Sequence, residues 1–453
     1  MNRQRLIQLA AVLGLVNLAG CSLLVDFTQC ESDLDCPATA ACISSICEEG
    51  GRLSITDHVV VDTTWTADKV YVLENLTMIV PPATLTIEPG TIILGRRNTG
   101  LVALAGARLV AEGTRDNPIV FTSDKPVGQR LAGDWAGIAM VGRATVNRKP
   151  FNLRIITDQY DTAVGGTDDS WDCGRLKYVR IEFGGSEVDG QKALKGLTVA
   201  GCGSKTKIEY VQTHLSDDDG IGVFGGTVDF RYIVSTRARD DAFDFDTGWR
   251  GTGQFLAIQQ DLLGQEGLEI ENLAEDPLAQ PQTIARIYNY TMIGANKEGD
   301  RQAAVYFKNG GQGYLSHGLI TGYKSAAIYV EGKEAADHVG ASLINVQNTL
   351  FYDVGPSGTD YFGLVDGGDD TYTGFSDYTY FENADFNNVF GNDPGLVKPF
   401  DLENPGWIPN PKYTTGREID PPPEGFDPTA VYRGAFSPSA TPWTEGWTSY
   451  PLN

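Results

Sequence analysis

The feature that most constrains this chain is a five-residue pattern that recurs at nearly even spacing through its middle. Each occurrence has a small residue second and apolar residues third and fifth, and successive occurrences start 24, 22, 25, 37 and 23 residues apart. Alternating apolar residues are typical of a strand with one buried face. A propeller blade needs about 40–45 residues, so this spacing favours one strand in each turn of a solenoid. The occurrences are 195–199, 219–223, 241–245, 266–270, 303–307 and 326–330.

A second series of short β-rich runs follows the same period. The runs are 178–181, 210–212, 232–234 and 255–258, and each begins with Tyr or Phe. No long stretch carries the apolar period of about 3.6 residues that indicates a helix. Coils of this kind bury their apolar faces only by stacking on one another. We therefore predict an all-β fold, a right-handed parallel β-helix with about 22–25 residues per coil.

Several motifs resemble bacterial surface proteins of the right-handed parallel β-helix type, many of which are lipoproteins. The motifs include residues 85–91 (LTIEPGT), 117–123 (NPIVFTS), 133–138 (GDWAGI) and 433–436 (RGAF). The resemblance covers approximately residues 70–300 together with the last twenty residues. It implies the fold but not a function, because one fold supports many functions.

The first twenty residues have the character of an export signal. Arg3 and Arg5 precede an apolar run that is too short to span a membrane. Residues 18–21 (LAGC) resemble the bacterial lipoprotein signal, which implies cleavage before Cys21 and lipidation of that residue. Ser22 follows, instead of the Asp that often retains such proteins at the inner membrane. We therefore expect a lipid-anchored protein of the outer membrane, and the side of that membrane on which it lies stays open.

The seven cysteines divide into three groups. Cys21 is the lipid site, and Cys173 and Cys202 precede neighbouring strands of the second series, so we expect a disulfide between adjacent coils. Segment 30–47 has too few large apolar residues for a core, and an exported protein favours disulfides there. Zinc is a weaker interpretation, because the segment has no CxxC pair and no nearby His. Its cysteines, whose connectivity stays open, are Cys30, Cys36, Cys42 and Cys47.

The composition predicts four regions along the chain. They are a signal peptide (1–20), a lipidated and disulfide-rich spacer (21–51), the β-helix (52–398) and a Pro-rich C-terminal region (399–453). The spacer resembles Cys-rich stretches that follow the lipid anchor in many myxobacterial lipoproteins. The last region holds 11 of the 22 prolines and three tryptophans. Because the end of a solenoid exposes apolar edges, we expect this region to be a C-terminal cap.

The net charge of the chain limits its partners. It is −24, and it becomes −26 when the signal peptide with its two arginines is removed. Binding to nucleic acid needs a cationic surface, so the charge disfavours nucleic acid, and it disfavours polyanionic polysaccharides for the same reason.

Part of this negative charge is predicted to gather on one face of the coil. Strand alternation places Asp244, Asp246, Glu269 and Glu271 on the outer face as a square of four carboxylates. Like charges about 5 Å apart repel by roughly 0.8 kcal/mol in water. We therefore expect a cation, raised pKa values or arginines to compensate, the candidates being Arg231, Arg237, Arg239 and Arg250. The full candidate acidic site is Asp217, Asp218, Asp219, Asp240, Asp241, Asp244, Asp246, Glu266, Glu269 and Glu271.

Three interpretations of this acidic face stay open. The first is a solvated structural face with arginine pairs and Asp side chains that cap turns. The second is a calcium site, since calcium prefers oxygen ligands; the proposed ligands are Asp219, Asp241, Asp244 and Glu269. The third is a sugar-binding or catalytic cleft, in which Tyr306 and Tyr329 stack against the glycan.

Two hypotheses for function follow. The first is a non-catalytic, lipid-anchored envelope protein whose acidic face serves adhesion, glycan binding or calcium binding. The second is a polysaccharide lyase or glycoside hydrolase of the β-helix class, with candidate acids Asp219, Asp241, Asp244 and Glu269. Adjacent coils place carboxylates about 5 Å apart, near the spacing of retaining glycosidases. However, the polygalacturonase signatures Asn-Thr-Asp and Arg-Ile-Lys find no match and the four histidines are scattered, so the first hypothesis is favoured and no catalytic residue is assigned.

Overall fold

The computed structural model describes residues 51–149, 151–153, 160–188, 190, 194–299, 302–365, 380–416 and 419–453. For residues 40–43, 46–49, 364 and 365 it describes the backbone alone. The predicted signal peptide, the lipidation site Cys21, Cys30 and Cys36 lie outside the described residues. The side chains of Cys42 and Cys47 do so as well, so the predicted disulfides of this segment stay predictions.

The regular elements with bounds inside the described residues are twenty-eight strands, two short α-helices and a 3-10 helix. The first half of the strands are β1 (Ala40–Ile43), β2 (Ile46–Glu49), β3 (Gly51–Ile55), β4 (Thr63–Trp65), β5 (Lys69–Leu73), β6 (Leu76–Ile79), β7 (Thr84–Ile87), β8 (Ile92–Gly95), β9 (Gly100–Ala103), β10 (Arg108–Glu112), β11 (Ile119–Ser123), β12 (Gly137–Val141), β13 (Gly174–Glu182) and β14 (Leu197–Ala200).

The second half completes the coil. These strands are β15 (Lys207–His214), β16 (Ile221–Phe224), β17 (Asp229–Thr236), β18 (Phe243–Asp246), β19 (Thr252–Gln259), β20 (Leu268–Glu271), β21 (Ile284–Ile293), β22 (Ala303–Lys308), β23 (Gln312–Thr321), β24 (Ala326–Glu331), β25 (Ile344–Gln347), β26 (Leu350–Tyr352), β27 (Phe362–Val365) and β28 (Val389–Phe390). The helices are α1 (Gly332–Gly340) and α2 (Pro411–Thr414), and the 3-10 helix is Ala384–Phe386.

Successive coils of the chain stack on one another, and their strands form two large parallel sheets that run along a right-handed parallel β-helix. A ten-stranded sheet contains β6, β9 and β12 and then every second strand from β14 to β24, and it ends at β27. A sixteen-stranded sheet contains the strands that alternate with these along the chain. The predicted fold is therefore confirmed.

The five-residue repeat seen in the sequence corresponds to the register of the strands in the ten-stranded sheet. The six occurrences lie on six consecutive strands, β14 to β24, and their third positions are aligned across the sheet. These aligned residues are buried and stack into one continuous core, as a solenoid requires. They are Leu197, Ile221, Phe243, Leu268, Val305 and Ile328.

The second series forms a bend in the sixteen-stranded sheet. Tyr178, Tyr210, Tyr232 and Phe255 all have positive φ angles, between 49° and 63°, a backbone region that non-glycine residues rarely adopt. Their rings stack with centroids 4.4–4.6 Å apart. Aromatic stacking offsets part of the backbone strain at each bend. The predicted disulfide between Cys173 and Cys202 is present just before these strands, with Cα atoms 5.8 Å apart.

The C-terminal region lies along the side of the coil, where the sequence led us to expect a cap over its end. Trp447 is fully buried, and its ring contacts Tyr178 and Tyr210 edge-on. Further along the sixteen-stranded sheet, His317 is bonded to the carbonyl oxygen of Asp420 at 2.7 Å. The region therefore covers the outer aromatic surface of several successive coils.

Candidate functional site

The predicted acidic residues gather on the outer face of the ten-stranded sheet. Asp244 on β18 is aligned with Glu269 on β20, and Glu271 is aligned with Lys308 on β22. Carboxylate oxygens of Asp244, Glu269 and Glu271 lie within 4.8 Å of one another. The outward placement of these carboxylates, expected from strand alternation, is therefore observed.

This part of the face is much less solvated than a surface ridge. Asp244 and Asp246 are only 8% and 5% exposed. The segment that follows β12 packs beside them. The backbone N–H of Asn147 donates to the carbonyl oxygen of Thr247 at 3.1 Å, and Phe151 contacts Phe224 with ring centroids 6.0 Å apart. Because water is largely excluded, charges here interact more strongly than on an open surface.

Two of the candidate acids serve the turns that precede the strands. The Asp219 carboxylate accepts a hydrogen bond from the Asp241 amide at 3.2 Å, and the Asp241 carboxylate accepts one from the Glu266 amide at 2.8 Å. Each side chain thus joins one coil to the next. Asp219 and Asp241, named as possible metal ligands and catalytic acids, have a structural role in this arrangement.

Two lysines compensate the acidic residues. Lys195 Nζ lies 2.8 Å from Asp218 Oδ1 and 2.7 Å from Asp219 Oδ2. Lys308 Nζ lies 2.8 Å from Glu269 Oε1 and 3.5 Å from Glu271 Oε2. Lys195 is the first residue of its repeat, and Lys308 is aligned with Glu271 across the sheet. The register of the repeat is therefore the sequence signal that could have predicted both ion pairs.

The arginines expected to compensate the acidic face mostly lie elsewhere. Arg237 pairs with Asp261, and Arg250 pairs with Asp169. Arg231 donates to a backbone carbonyl of the C-terminal region. Only Arg239 reaches the acidic residues, through Asp217. The expectation of arginine pairs is therefore corrected. Arg231 lies on β17 of the sixteen-stranded sheet, and Arg237 and Arg250 lie in turns next to strands of that sheet, away from the acidic face.

The pKa values of the acidic residues are raised, mainly because burial disfavours the charged form. The pKa of Asp219 rises to about 6, that of Asp246 to about 7 and that of Glu269 to about 8. Burial, with neighbouring carboxylates adding to its effect, raises the pKa values of Asp241 and Asp244 well above their usual range. Without a further cation, Glu269 therefore holds its proton at neutral pH, and Asp246 is about half protonated.

One carboxylate oxygen stands out in this cluster. Asp244 Oδ1 is buried and has no hydrogen-bond partner among the residues that the structure describes. A buried acceptor without a partner is destabilising, and a cation held with Glu269 and Glu271 would satisfy it. The carboxylates that converge are thus Asp244, Glu269 and Glu271, while Asp218, Asp219 and Asp240 form a second group. The predicted calcium ligands Asp219, Asp241, Asp244 and Glu269 do not meet as one set.

The two tyrosines proposed to stack against a sugar do not form a flat exposed surface. Tyr306 is 7% exposed, and the rings of Tyr306 and Tyr329 are inclined by 57° with centroids 6.1 Å apart. Lys308 Nζ lies 5.9 Å from the centre of the Tyr306 ring. Tyr306 is aligned with Glu269 across the sheet and therefore lies beside the acidic site, where its ring faces the Lys308 amine.

Comparison with known proteins defines the class of this protein. Residues 55–380 match the family described as the pectate-lyase-like beta helix domain, and the chain belongs to that family. Membership suggests a protein related to polysaccharides, without separating a binding protein from an enzyme.

Other comparisons add little. No curated protein matches the chain. A solved structure titled "Crystal structure of Dettilon tailspike protein (gp208)" is 12% identical, with a TM-score of 0.21 over 70% of this chain. The chain spans about three fifths of that tailspike chain, 61% of its length. Among the described residues, no helix is long and apolar enough to cross a membrane.

Proposed function

We propose that this protein is a non-catalytic, cation-dependent glycan-binding protein of the cell envelope, anchored in the outer membrane by a lipid on Cys21. The observation that carries the proposal is the convergence of Asp244, Glu269 and Glu271, together with Asp244 Oδ1, which has no hydrogen-bond partner in the described part of the chain. Such a set of oxygen atoms suits calcium, which is bound by carboxylates and is the proposed cation.

Calcium also provides a route to glycan binding. Calcium takes about six to eight oxygen ligands, so three carboxylates leave positions for water or for sugar hydroxyls. Lys308 competes for the same carboxylates, because its amine lies 2.8 Å from Glu269. Binding of calcium therefore requires the Lys308 side chain to move away from Glu269.

The geometry favours binding over catalysis. Asp219 and Asp241 accept backbone hydrogen bonds that join coils, and both are buried, which favours a structural role over that of a nucleophile or base. Two described histidines, His214 and His317, lie on the sixteen-stranded sheet, where each is bonded to a carbonyl oxygen of the C-terminal region. Neither can act on a substrate bound at the acidic face.

A calcium titration tests the cation. Calcium at about a hundred times its dissociation constant should stabilise the folded protein by about 2.7 kcal/mol, measured by thermal unfolding against a chelator. Asp244→Asn and Glu271→Gln should remove this gain. Asp229→Asn is the matched control, because Asp229 accepts hydrogen bonds from Thr252 on the other sheet. No stabilisation of the wild type would eliminate the cation from the proposal.

One observation favours an enzyme as the second candidate. Glu269 has a pKa raised to about 8, its side chain is 15% exposed, and its oxygen lies within 4.8 Å of an Asp244 oxygen. An acid that is protonated at neutral pH can act as a general acid, and retaining glycosidases place their carboxyl groups about 5–5.5 Å apart. Incubation with a panel of polysaccharides, followed by assays for reducing ends and unsaturated products, separates the candidates. Activity that Glu269→Gln abolishes would replace the binding proposal.

The membrane anchor needs its own experiment. Cys21→Ala should shift the protein from the outer-membrane fraction to the soluble fraction and prevent incorporation of labelled fatty acid. Ser22→Ala is the control, because it leaves the cysteine intact. Equal membrane association of both variants would contradict the anchor.

A further inference from the structure

A surface cavity lies on the turns that follow strands of the sixteen-stranded sheet. Its volume is about 680 Å³, within the range of ligand sites. It is lined by the turns after β8, β11, β13 and β15, which are four successive coils. Strands in a sheet are about 4.8 Å apart, so the cavity extends about 14 Å along the axis of the coil. Asp217, at one end, belongs to the acidic site described above.

The floor of this cavity is rigid without a ligand. The Asp134 carboxylate accepts hydrogen bonds from the Ser123 hydroxyl at 2.6 Å, the Leu131 amide at 2.9 Å and the Lys125 amine at 2.5 Å. Ser123 and Asp134 are buried. Polar groups that are already held in place lose little conformational freedom when a ligand binds.

Three lining groups are left for a ligand. Ser186 is 8% exposed, and its hydroxyl has no hydrogen-bond partner among the described residues. Arg97 and Glu187, both exposed, also line the cavity. No side-chain hydrogen bond or ion pair joins Arg97 or Glu187 to any described residue. Among the described residues, the fold therefore leaves one buried hydroxyl at the cavity wall, one planar donor and one carboxylate acceptor without a partner.

The charge of the lining indicates the class of ligand. Three basic and four acidic side chains surround the cavity, so neither an anion nor a cation is strongly favoured. A sugar hydroxyl both donates and accepts hydrogen bonds, and it therefore suits a lining that offers donors and acceptors side by side. We propose that this elongated cavity binds a neutral oligosaccharide, with Ser186, Arg97 and Glu187 bonded to its hydroxyls. The inference rests on the proposed glycan-binding function and names a ligand class for it.

Binding of neutral disaccharides tests the inference. Maltose, cellobiose, lactose and chitobiose are the probes, measured with the full-length protein by saturation-transfer NMR and by titration. At least one should bind, and Ser186→Ala and Arg97→Ala should each weaken its affinity about tenfold, the effect of losing one hydrogen bond. Ser204→Ala, at an exposed serine outside the cavity, is the matched control. Thermal unfolding of each variant shows that it is folded.

The other outcomes are decisive as well. No binding of any of the four disaccharides, or binding that Ser186→Ala and Arg97→Ala leave unchanged, overturns the inference. Stronger binding of digalacturonate than of all neutral probes overturns its assignment to neutral glycans. Failure of the cation proposal is distinguishable from failure of this inference. Calcium would then not stabilise the protein, or would stabilise Asp244→Asn as much as the wild type, while disaccharide binding would persist and the cavity inference would stand.

Discussion

Lys195 Nζ lies 2.7 Å from Asp219 Oδ2, and the two groups come from neighbouring coils. The side chains are 17% and 3% exposed. Gly222 makes room for this pair, because a Cβ atom there would lie 2.7 Å from Lys195 Cγ. The glycine of one repeat thus lets the lysine of the preceding repeat reach the acidic turn.

Replacing this lysine by an apolar residue should destabilise the fold. Lys195→Met leaves Asp218 and Asp219 without their ammonium partner, and removing one member of a buried ion pair costs about 3–5 kcal/mol. Urea unfolding at pH 7 measures the loss. Lys207→Met is the control, since Lys207 is exposed and its amine donates to the Ser204 carbonyl oxygen, its one side-chain hydrogen bond among the described residues. Equal stability of the two variants would contradict the role given to Lys195.

The position of the acidic residues was predictable from the sequence, but their partners were not. Alternation along β18 and β20 placed Asp244 and Glu269 on the outer face, and cross-strand register brought them together. The burial of Asp246 involves the segment after β12, which is bonded to the adjacent Thr247 and whose sequence has no repeat to fix its place. The reach of Lys195 depends on the missing side chain at Gly222, which a strand pattern does not show.

The stability of the cation-free protein should fall as the pH rises. The pKa of Asp246 is about 7 and that of Glu269 about 8, against ordinary values of 3.8 and 4.5. Between these values the folded protein holds more protons than the unfolded chain, so stability is present at low pH and is lost as the pH rises from about 4 to about 8.

Thermal unfolding in chelator and in calcium, at pH 5 and pH 8, measures this dependence. Calcium binds ionised carboxylates, so its stabilisation should be larger at pH 8. Glu269→Gln should flatten the decline in chelator between pH 5 and pH 8, because the amide does not titrate. A decline that is equally steep in this variant would contradict the assignment to Glu269.

Asp241 should tolerate loss of its charge but not loss of its oxygen. Asn keeps the acceptor that the Glu266 amide uses at 2.8 Å. Burial and neighbouring carboxylates, which raise the pKa of Asp241, disfavour the charged form that Asn lacks. Asp241→Asn should therefore stay within about 0.5 kcal/mol of the wild type, while Asp241→Ala should lose about 1–3 kcal/mol. Denaturant unfolding at pH 6 distinguishes the two. A large loss in Asp241→Asn would contradict the structural role.

The fold itself was the most predictable part of the molecule. Each coil repeats the same small and apolar positions, so the register of Leu197 with Ile221 and Phe243 is contained in their spacing. The C-terminal region has no such repeat, and its path depends on contacts between residues far apart in sequence. The Gln212 amide, for example, donates to the Ser449 carbonyl oxygen at 2.6 Å, across 237 residues.

Trp447 should be essential for holding the C-terminal region against the coil. It is fully buried, its indole nitrogen donates to the Trp443 carbonyl oxygen at 2.8 Å, and its ring lies edge-on to Tyr178 and Tyr210. Trp447→Ala should lower the free energy of unfolding by about 3–5 kcal/mol and expose residues 399–453 to limited proteolysis. Leu452→Ala, 46% exposed in the same region, is the control and should change little. If both variants resist protease equally, the C-terminal region is held by its many backbone hydrogen bonds to the coil, and the aromatic contact is secondary.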